Sequence, residues 1–439
     1  MSIIGVINSN SGVRERVERA FKNDSRQDYT PRFLSDKTEI IEFLSYDLPE
    51  IVLINFSDPS LTLEDIFGSI KNDTWLMNFG VIGLFDPARD KEEDLHKKYT
   101  IINVLMMLDI NRIDSHLLKN VQIIERNYQI LFQREFSRNL MDGVSGSFVI
   151  ENDILAVPLY AGMGATILAQ RGLINLDNKM HLQLALGELI INAIEHGNCG
   201  ITYEEKTGGM ENGLSVVDLV AAKCRDPAVR AKKVEFQWEI RSDKSIFIIK
   251  DEGKGFDVDA YLKKVGKQDM LSLHGRGIKL ATMLFHELRY NKRGNQVALI
   301  VKHDPVPEQD IPLGFSKEQV LTVKKGDIVL KEGDPSDFLY YISSGQYTVF
   351  HNRKQVGTLS AQDIFMGEMS FLLNQRRSAA VRAETEGKLI LLTRKAFVQA
   401  IRKYPHYGIF LGKLLAKRLA RGNDRNAALL AKLRDGAAT

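Results

Sequence analysis

One segment, residues 184–198, places two polar side chains on the same face of a largely apolar helix. Its apolar residues recur at three- and four-residue spacing, which predicts a helix with one buried stripe. Glu188 and Asn192 are four residues apart, so they lie one above the other. Such a carboxylate can polarise a water while the amide oxygen binds a hard divalent cation. Taken alone, the pair is more typical of a solvated helix surface, so its meaning depends on the remaining sequence.

Two glycine-containing segments follow this helix at the ends of further predicted elements. A strand-like run, 245–249, leads into residues 251–256, where a fixed Asp251 carboxylate can accept a hydrogen bond from an exocyclic amine. The glycines after it let the backbone approach a flat ring closely. Residues 275–277 expose backbone amides at a helix start, where phosphates bind. Either segment alone would indicate a tight turn, but together with the helix they predict a nucleotide site.

Residues 146–303 resemble the GHKL ATPases, the superfamily of gyrase and histidine kinases, and most closely the anti-sigma-factor serine/threonine kinases. The resemblance rests on residues 188–198, 251–256 and 275–277. It implies an α/β sandwich that binds ATP and Mg²⁺. One departure from the family is a long connection, 200–233, for which three hypotheses stay open: a regulatory flap, a partner-docking surface or plain elaboration.

The same resemblance implies roles for individual residues. Glu188 is expected to act as the general base, Asn192 as the Mg²⁺ ligand and Asp251 as the reader of adenine. Further ATP-binding residues are expected to shape the pocket or to touch phosphate: Gly253, Gly255, Phe256, Gly275, Arg276 and Gly277.

Residues 1–113 alternate short apolar runs with helical patterns, which predicts a doubly wound parallel sheet. The layout resembles a response-regulator receiver domain, in which a phosphoacceptor aspartate ends the third strand. Asn55 stands at that place here, Asn8 and Ser9 replace an acidic pair, and the lysine expected after the fifth strand is missing. We therefore predict a pseudo-receiver domain used for docking or dimerisation, with phosphorylation of Asp58 as the alternative.

Residues 114–145 are predicted as a connecting helix. From Asp114 to about Arg138, apolar residues alternate four and three apart in a short heptad seam. Two hypotheses stay open for this helix: a last receiver helix packed on its own sheet, or a helix that extends into a dimerising or signal-relaying helix, with a homodimer as the possible assembly. His116 lies on it and is followed by Leu-Leu, which indicates a surface histidine and not an autokinase site.

Residues 304–313 are predicted as a proline-rich polar linker, and short strands punctuated by glycine turns follow in 314–439. This spacing predicts a β-roll, and the chain from Phe397 to about Leu433 is predicted to be largely helical. The predicted fold class is a multidomain α/β protein: a receiver-like unit, a sandwich of the GHKL ATPase type and a β-roll with C-terminal helices.

A helical turn starting at Gly367 can offer backbone amides to an anion, and Arg377 can supply a paired charge. Residues 367–381 resemble, without a gap, the phosphate-binding cassette of cyclic-nucleotide-binding domains of the catabolite-activator type. The resemblance implies Glu368 on the ribose 2′-hydroxyl, Arg377 on the cyclic phosphate, and cAMP rather than cGMP as an allosteric ligand. The cyclic-nucleotide-binding residues that we expect are Gly367, Glu368, Arg377, Ser378 and Ala379.

With 59 basic and 56 acidic residues the net charge is +3, which gives no indication of a nucleic-acid or membrane partner. The two cysteines, Cys199 and Cys224, form no metal-binding spacing and no disulfide framework, which indicates a reducing compartment. The sequence shows no signal peptide and no apolar run near the roughly 20 residues of a membrane helix. We therefore expect a cytoplasmic protein.

Taken together, these patterns predict a cytoplasmic signalling protein in which cyclic nucleotide binding controls an ATP-dependent serine/threonine kinase. The implied partner is an anti-sigma-factor antagonist protein or a sigma factor. Some relatives of these ATPases bind nucleotide without transferring phosphate. The alternative is therefore a non-catalytic ATP- and cyclic-nucleotide-binding regulator that sequesters its partner.

Overall fold

The computed structural model describes residues 2–24, 28–70, 76, 79–99, 102–132, 144–169, 173–241, 243–258, 287–303, 311–416 and 419. These residues form a parallel α/β unit, an antiparallel α/β unit and a β-roll. No helix within these ranges is long and apolar enough to span a membrane.

The described residues of the parallel unit form five strands: β1 (Ser2–Ile7), β2 (Tyr29–Leu34), β3 (Ile51–Asn55), β4 (Gly80–Phe85) and β5 (Val104–Asp109). They pair in the order β2-β1-β3-β4-β5, with every pair parallel. Two separate apolar cores lie on the two faces of this sheet. They are covered by α1 (Ser11–Lys22), α2 (Lys37–Glu42), α3 (Leu63–Ile70), α4 (Glu92–Lys98) and α5 (Ile113–Phe132). The doubly wound parallel arrangement predicted for this region is therefore present.

Asp58 lies just beyond β3 and is held by Ser9. Its Oδ2 accepts hydrogen bonds from the backbone N (2.6 Å) and from Oγ (2.8 Å) of Ser9, and its Oδ1 accepts one from Ser60 N (3.1 Å). At the strand end, Asn55 Nδ2 donates to Asn8 Oδ1 across 2.8 Å. Because the Asp58 carboxylate is buried and both of its oxygens are already used, these contacts disfavour phosphorylation there.

The heptad seam of α5 is buried inside the chain where the structure describes it. Leu117, Val121 and Ile124 have no exposed surface, and they belong to a core that also contains residues of α1. This burial favours a last helix packed on its own unit over a homodimer through the seam. The side chains of Tyr128 and Leu131 lie outside the described residues.

The antiparallel unit contains the strands β6 (Val144–Ile150), β7 (Val234–Ile240), β8 (Lys244–Lys250), β9 (Glu287–Tyr290) and β10 (Gln296–Lys302). They pair in the order β6-β7-β8-β10-β9. Alternate residues of the central strands are buried, so one sheet face packs against α6 (Val157–Ala169) and α7 (Leu176–Asn192). β6 begins two residues before the boundary predicted at 146.

The parallel and antiparallel units share one hydrophobic core. α6 packs against the edge strand β5, where a Cβ on Gly162 would lie 2.0 Å from Leu105 O. Beside this contact, Asn103 Oδ1 accepts hydrogen bonds from Thr166 Oγ1 on α6 (3.1 Å) and from Lys179 Nζ on α7 (2.6 Å). The helix that carries the predicted catalytic residues is thus fixed directly to the parallel sheet.

The contact between α7 and the parallel unit can be tested through Lys179. Burial lowers the pKa of Lys179 to about 8 from the usual 10.5. Between these two pH values the unfolded chain binds more protons than the folded one, so the free energy of unfolding rises with pH. Across this pH window we expect the free energy of unfolding to rise by about 3 kcal/mol more in wild type than in Lys179→Met. Denaturant unfolding of both proteins across this window measures the difference, and identical pH dependences would contradict the assignment.

The connection 200–233 folds into three short helices: α8 (Tyr203–Glu211), α9 (Val216–Lys223) and α10 (Pro227–Ala231). Thr202 and Ser215 begin the first two with capping boxes, each completed by an acidic residue three positions later. Lys206 on α8 forms an ion pair with Glu195 (2.9 Å), whose side chain has no exposed surface. The connection is therefore packed onto the end of the predicted nucleotide-site helix.

The third unit is a β-roll. Its described strands are β11 (Gln319–Val323), β12 (Ile328–Leu330), β13 (Phe338–Ile342), β14 (Gln346–His351), β15 (Lys354–Ser360), β16 (Phe365–Met366), β17 (Ala380–Ala383) and β18 (Gly387–Thr393). They form two sheets, β11-β18-β13-β16 and β12-β17-β14-β15. This confirms the β-roll predicted for the C-terminal part of the chain.

The helices of the β-roll are α11 (Glu368–Leu373), α12 (Arg394–Lys403) and a helix over residues 406–416. The sequence predicted one largely helical run from Phe397 to about Leu433. The run is instead broken after Lys403, because the residue before Pro405 is disfavoured in helical conformation. Beyond residue 416 only residue 419 is described.

Candidate nucleotide sites

The predicted base and the predicted Mg²⁺ ligand lie near the C-terminal end of α7. Glu188 is exposed and Asn192 is half-buried, and neither side chain forms a hydrogen bond with another residue that the structure describes. After Asn192 the helix continues as a π-helical turn, Ala193–Asn198. Turns of this kind are frequent at functional sites. Both polar groups are therefore available to a ligand.

Asp251 follows β8 and contacts the π-helical turn. A Cβ on Gly197 would lie 2.4 Å from Asp251 Cγ, and a Cβ on Gly253 would lie 2.2 Å from Gly197 O. Only glycine fits at both positions without displacing its neighbour. The segments 188–198 and 251–256, which are far apart in sequence, are thus in direct contact.

The Asp251 carboxylate is buried, and its Oδ1 accepts a hydrogen bond from Gly253 N (2.8 Å). Burial raises the pKa of Asp251, and the hydrogen bond from Gly253 opposes this rise. A carboxylate in such a place is a strong acceptor, since hydrogen bonds to ionised groups are about twice as strong as neutral ones. Asp251 can therefore accept a hydrogen bond from an amine of a bound base.

Three side chains that the sequence did not single out hold the Asp251 loop in place. Asn198 Oδ1 accepts a hydrogen bond from Glu252 N (2.8 Å). Asn295 Nδ2 donates to Asp251 O (2.9 Å), and Arg293 Nη2 donates to Gly253 O (3.1 Å). Asn198 closes the first predicted segment, which was a signal for it. No sequence pattern connects residues 293–295 with the loop. They lie beside it only because β8 and β10 pair antiparallel.

The remaining residues of the second segment lie at the same loop. Gly255 has a φ of +79°, and a Cβ there would lie 1.8 Å from Arg293 O, so glycine is required. Phe256 is 40% exposed and packs edge-on against Tyr290, with 5.4 Å between ring centres. The third predicted segment lies outside the described residues: Gly275, Arg276 and Gly277.

In the β-roll, the structure brings Gly367 and Arg377 together. Gly367 precedes α11 with a φ of +76°, and a Cβ there would lie 2.3 Å from Arg377 Nη1. Arg377 is 4% exposed; its Nη1 donates to Gly367 O (2.8 Å) and Ser370 Oγ (3.1 Å), and its Nη2 donates to Phe338 O. Its Nε has no hydrogen-bond partner among the described residues. The guanidinium is thus buried, and one of its donors has no partner within the described chain.

Burial lowers the pKa of Arg377, while the neighbouring Tyr340 and acidic residues oppose the fall. The hydrogen bonds of Arg377 within the described chain go to two carbonyl oxygens and a hydroxyl and none to a carboxylate, and a buried charge without a bonded counter-charge is costly. An anionic ligand would offset this cost. Glu368 is buried at the start of α11, whereas Ser378 is exposed and Ala379 half-buried directly after the arginine.

Residues 320–404 match the family model of the cyclic nucleotide-binding domain. Over 81 residues the chain is 38% identical to the cAMP-dependent protein kinase type II regulatory subunit of Drosophila melanogaster, covering 18% of this chain. Over 79 residues it is 37% identical to the cGMP-dependent protein kinase of Plasmodium berghei, again covering 18% of this chain. A solved structure, the catabolite activator protein of Thermus thermophilus, is 30% identical over 27% of this chain and 57% of that one, with a TM-score of 0.25.

The chain spans 21% of the length of the fly subunit and 9% of that of the Plasmodium kinase. The span that the family model matches lies within the predicted 314–439 unit and contains the cassette with Gly367 and Arg377. The β-roll of this chain is a cyclic nucleotide-binding domain.

Proposed function

We propose that this chain is a signalling switch in which a cyclic nucleotide, cAMP in preference to cGMP, controls an ATP-dependent protein serine/threonine kinase. The match of residues 320–404 to the cyclic nucleotide-binding domain supports the proposal that the β-roll is the sensor. The kinase is supported by one observation: the buried Asp251 loop contacts the end of the helix that carries Glu188 and Asn192. The parallel unit is proposed as a pseudo-receiver docking module.

The residues present fit ATP with Mg²⁺. Asn192 offers a neutral amide oxygen, and no group of three or more His, Cys, Asp or Glu able to hold a metal occurs among the described residues. A Mg²⁺ ion bound mainly through substrate phosphates needs only one or two protein ligands. Asp251 would accept the hydrogen bond of the adenine amine, and Gly253 and Gly255 let the backbone lie close to the ring.

In the proposed reaction, the hydroxyl oxygen of a partner's Ser or Thr attacks the γ-phosphorus of ATP, and ADP leaves. Glu188 accepts the proton of that hydroxyl. Mg²⁺, when bound, would offset the phosphate charge. Asn192 and Asp251 would hold the nucleotide without taking part in proton transfer. The proposed hydroxyl donor is an anti-sigma-factor antagonist protein.

A contact between the sensor and the parallel unit supports the control step. Lys413, on the helix over 406–416, donates hydrogen bonds to Asp47 O (2.6 Å) and Leu48 O (3.0 Å) of the parallel unit. Leu48 packs against the core on one face of that unit's sheet, and the core on the other face includes residues of α7. A rearrangement of the 406–416 helix on ligand binding would therefore reach the nucleotide site through the parallel unit.

Titration calorimetry and phosphotransfer assays on the full chain test both halves of the proposal. We expect the chain to bind cAMP, to bind a Mg²⁺–ATP analogue, and to transfer label from γ-labelled ATP to a partner protein. Each nucleotide should change the affinity of the other by the same factor, since coupling is reciprocal. Equal cAMP affinity with and without the analogue would refute the control step, and failure to bind the analogue would refute the kinase.

A non-catalytic regulator that binds ATP and sequesters an antagonist protein or a sigma factor is the second candidate. It is favoured by the exposure of Glu188, because no described residue orients this carboxylate as a base. Incubation with γ-labelled ATP and the isolated partner separates the two candidates. Label on the partner supports the kinase, whereas a stable complex that forms only with ATP and carries no label supports sequestration.

A further inference from the structure

The connection 200–233 is joined to the second side of the nucleotide site through Asn152, which follows β6. Asn152 Nδ2 donates hydrogen bonds to Val229 O (2.9 Å) and Lys232 O (3.2 Å), at the end of the connection. Asn152 Oδ1 accepts a hydrogen bond from Asn198 Nδ2 (2.9 Å). One amide group thus links the backbone of the connection to the last residue of the π-helical turn.

Asn198 passes this link on to the Asp251 loop. It is 1% exposed, and its Oδ1 accepts the hydrogen bond from Glu252 N (2.8 Å). Its backbone O accepts another from Lys232 Nζ (2.9 Å). Glu252 lies between Asp251 and Gly253, whose N donates to Asp251 Oδ1 (2.8 Å), so the hydrogen bond at Glu252 N holds the backbone directly beside that carboxylate.

The side-chain amides of Asn152 and Asn198 can each form these hydrogen bonds in only one orientation. Asn152 must direct its Nδ2 at two carbonyl oxygens, and Asn198 must direct its Oδ1 at an N–H. Reversal of either amide would place donor against donor or acceptor against acceptor. Because a buried polar group that loses its partner is costly, the link resists rearrangement and transmits the position of the connection to the loop.

We propose that Asn198 and Asn152 are positioning residues for the adenine base, and that the 200–233 connection supports the Asp251 loop through them. This inference rests on the proposed ATP site. It assigns the connection a role in nucleotide affinity and makes a specific distinction. The link orients the group that reads the base and, among the residues that the structure describes, forms no hydrogen bond to the side chain of Glu188 or Asn192. Loss of the link should therefore weaken ATP binding and leave binding of Mg²⁺–tripolyphosphate unchanged.

Calorimetry with the full-length protein tests this distinction. Asn198→Ala and Asn152→Ala are each expected to weaken binding of a Mg²⁺–ATP analogue on the order of tenfold. The double variant should lose no more affinity for the analogue than the weaker-binding single variant does, because both substitutions break the same link. The matched control is Asn212→Ala, since Asn212 lies in the same connection and its side chain, among the described residues, donates only to Gly208 O (2.7 Å). It should bind the analogue as wild type does, and the circular dichroism spectrum of every variant should match that of wild type, which reports intact folding.

Unchanged affinity for the analogue in Asn198→Ala, additive losses in the double variant, or an equal loss of tripolyphosphate binding would each overturn the inference. If wild type itself binds no ATP analogue, the proposed ATP site fails, and the link is judged by hydrogen exchange. Exchange at the Glu252 amide should then be faster in Asn198→Ala and in Asn152→Ala and unchanged in Asn212→Ala. Unchanged exchange in the first two variants would overturn the link as well.

Discussion

Arg377→Ala is expected to weaken cAMP binding by a factor on the order of a hundred to a thousand. The guanidinium is buried beside Gly367, forms no ion pair in the described chain and has an unbonded Nε. A cyclic phosphate that enters this cassette would lose its water and, without the arginine, would remain without a counter-charge. Calorimetry with cAMP on the full chain measures the loss.

Arg376→Ala is the matched control because the side chain is the neighbouring arginine in the same cassette. Arg376 is exposed and donates to Gly333 O (2.9 Å), so its removal should change cAMP affinity by no more than about twofold. Thermal unfolding without ligand shows whether either variant is misfolded. Wild-type affinity in a folded Arg377→Ala protein would exclude Arg377 as the phosphate ligand.

Glu188→Gln is expected to reduce phosphotransfer to the partner on the order of a hundred- to ten-thousandfold. Glutamine keeps the size of the side chain and its ability to form hydrogen bonds, but it cannot accept the hydroxyl proton. Affinity for the ATP analogue should therefore stay within about twofold of wild type. Single-turnover transfer from γ-labelled ATP, measured beside analogue binding, separates the two effects.

The control for this experiment is Glu211→Gln, at the exposed end of α8, which removes a carboxylate of the same kind away from the candidate base. Its transfer rate should equal that of wild type. Persistent transfer in Glu188→Gln would remove Glu188 from the base role while leaving the kinase in place. Absence of transfer in wild type would instead favour the sequestering regulator.

Strands with a strong apolar pattern were predictable, and strands shaped by tertiary contacts were not. β3 is buried along its length and β8 alternates between buried and less buried residues, so both patterns are visible in the sequence. β2 has no such pattern, because it is an edge strand containing Pro31, which cannot donate a hydrogen bond to a neighbouring strand. Residues 144–145 belong to the predicted connecting helix, whereas in the structure they begin β6, in which Gly146 leaves room for the ring of Trp238.

The candidate nucleotide site shows the same division. The proximity of the 188–198 and 251–256 segments could be predicted, since both carry residues whose chemistry suits one ligand and whose glycines permit close approach. Among the residues that hold the loop, Asn198 could be suspected because it ends the first segment. Arg293 and Asn295 could not be predicted, because nothing in the sequence distinguishes them from surface residues. Only the pairing of β8 with β10 and the packing of the connection give these residues their partners.

The helix α6 sets which parts of this protein can be inherited separately. Every residue from Ala161 to Leu168 is buried, with the antiparallel sheet on one side and β5 on another. A gene fusion that exchanged only the N-terminal α/β unit for a relative would remove one wall of that core. Recombination can therefore pass on the two α/β units only as one block, whereas the β-roll, which has its own apolar cores, can be gained or lost by itself.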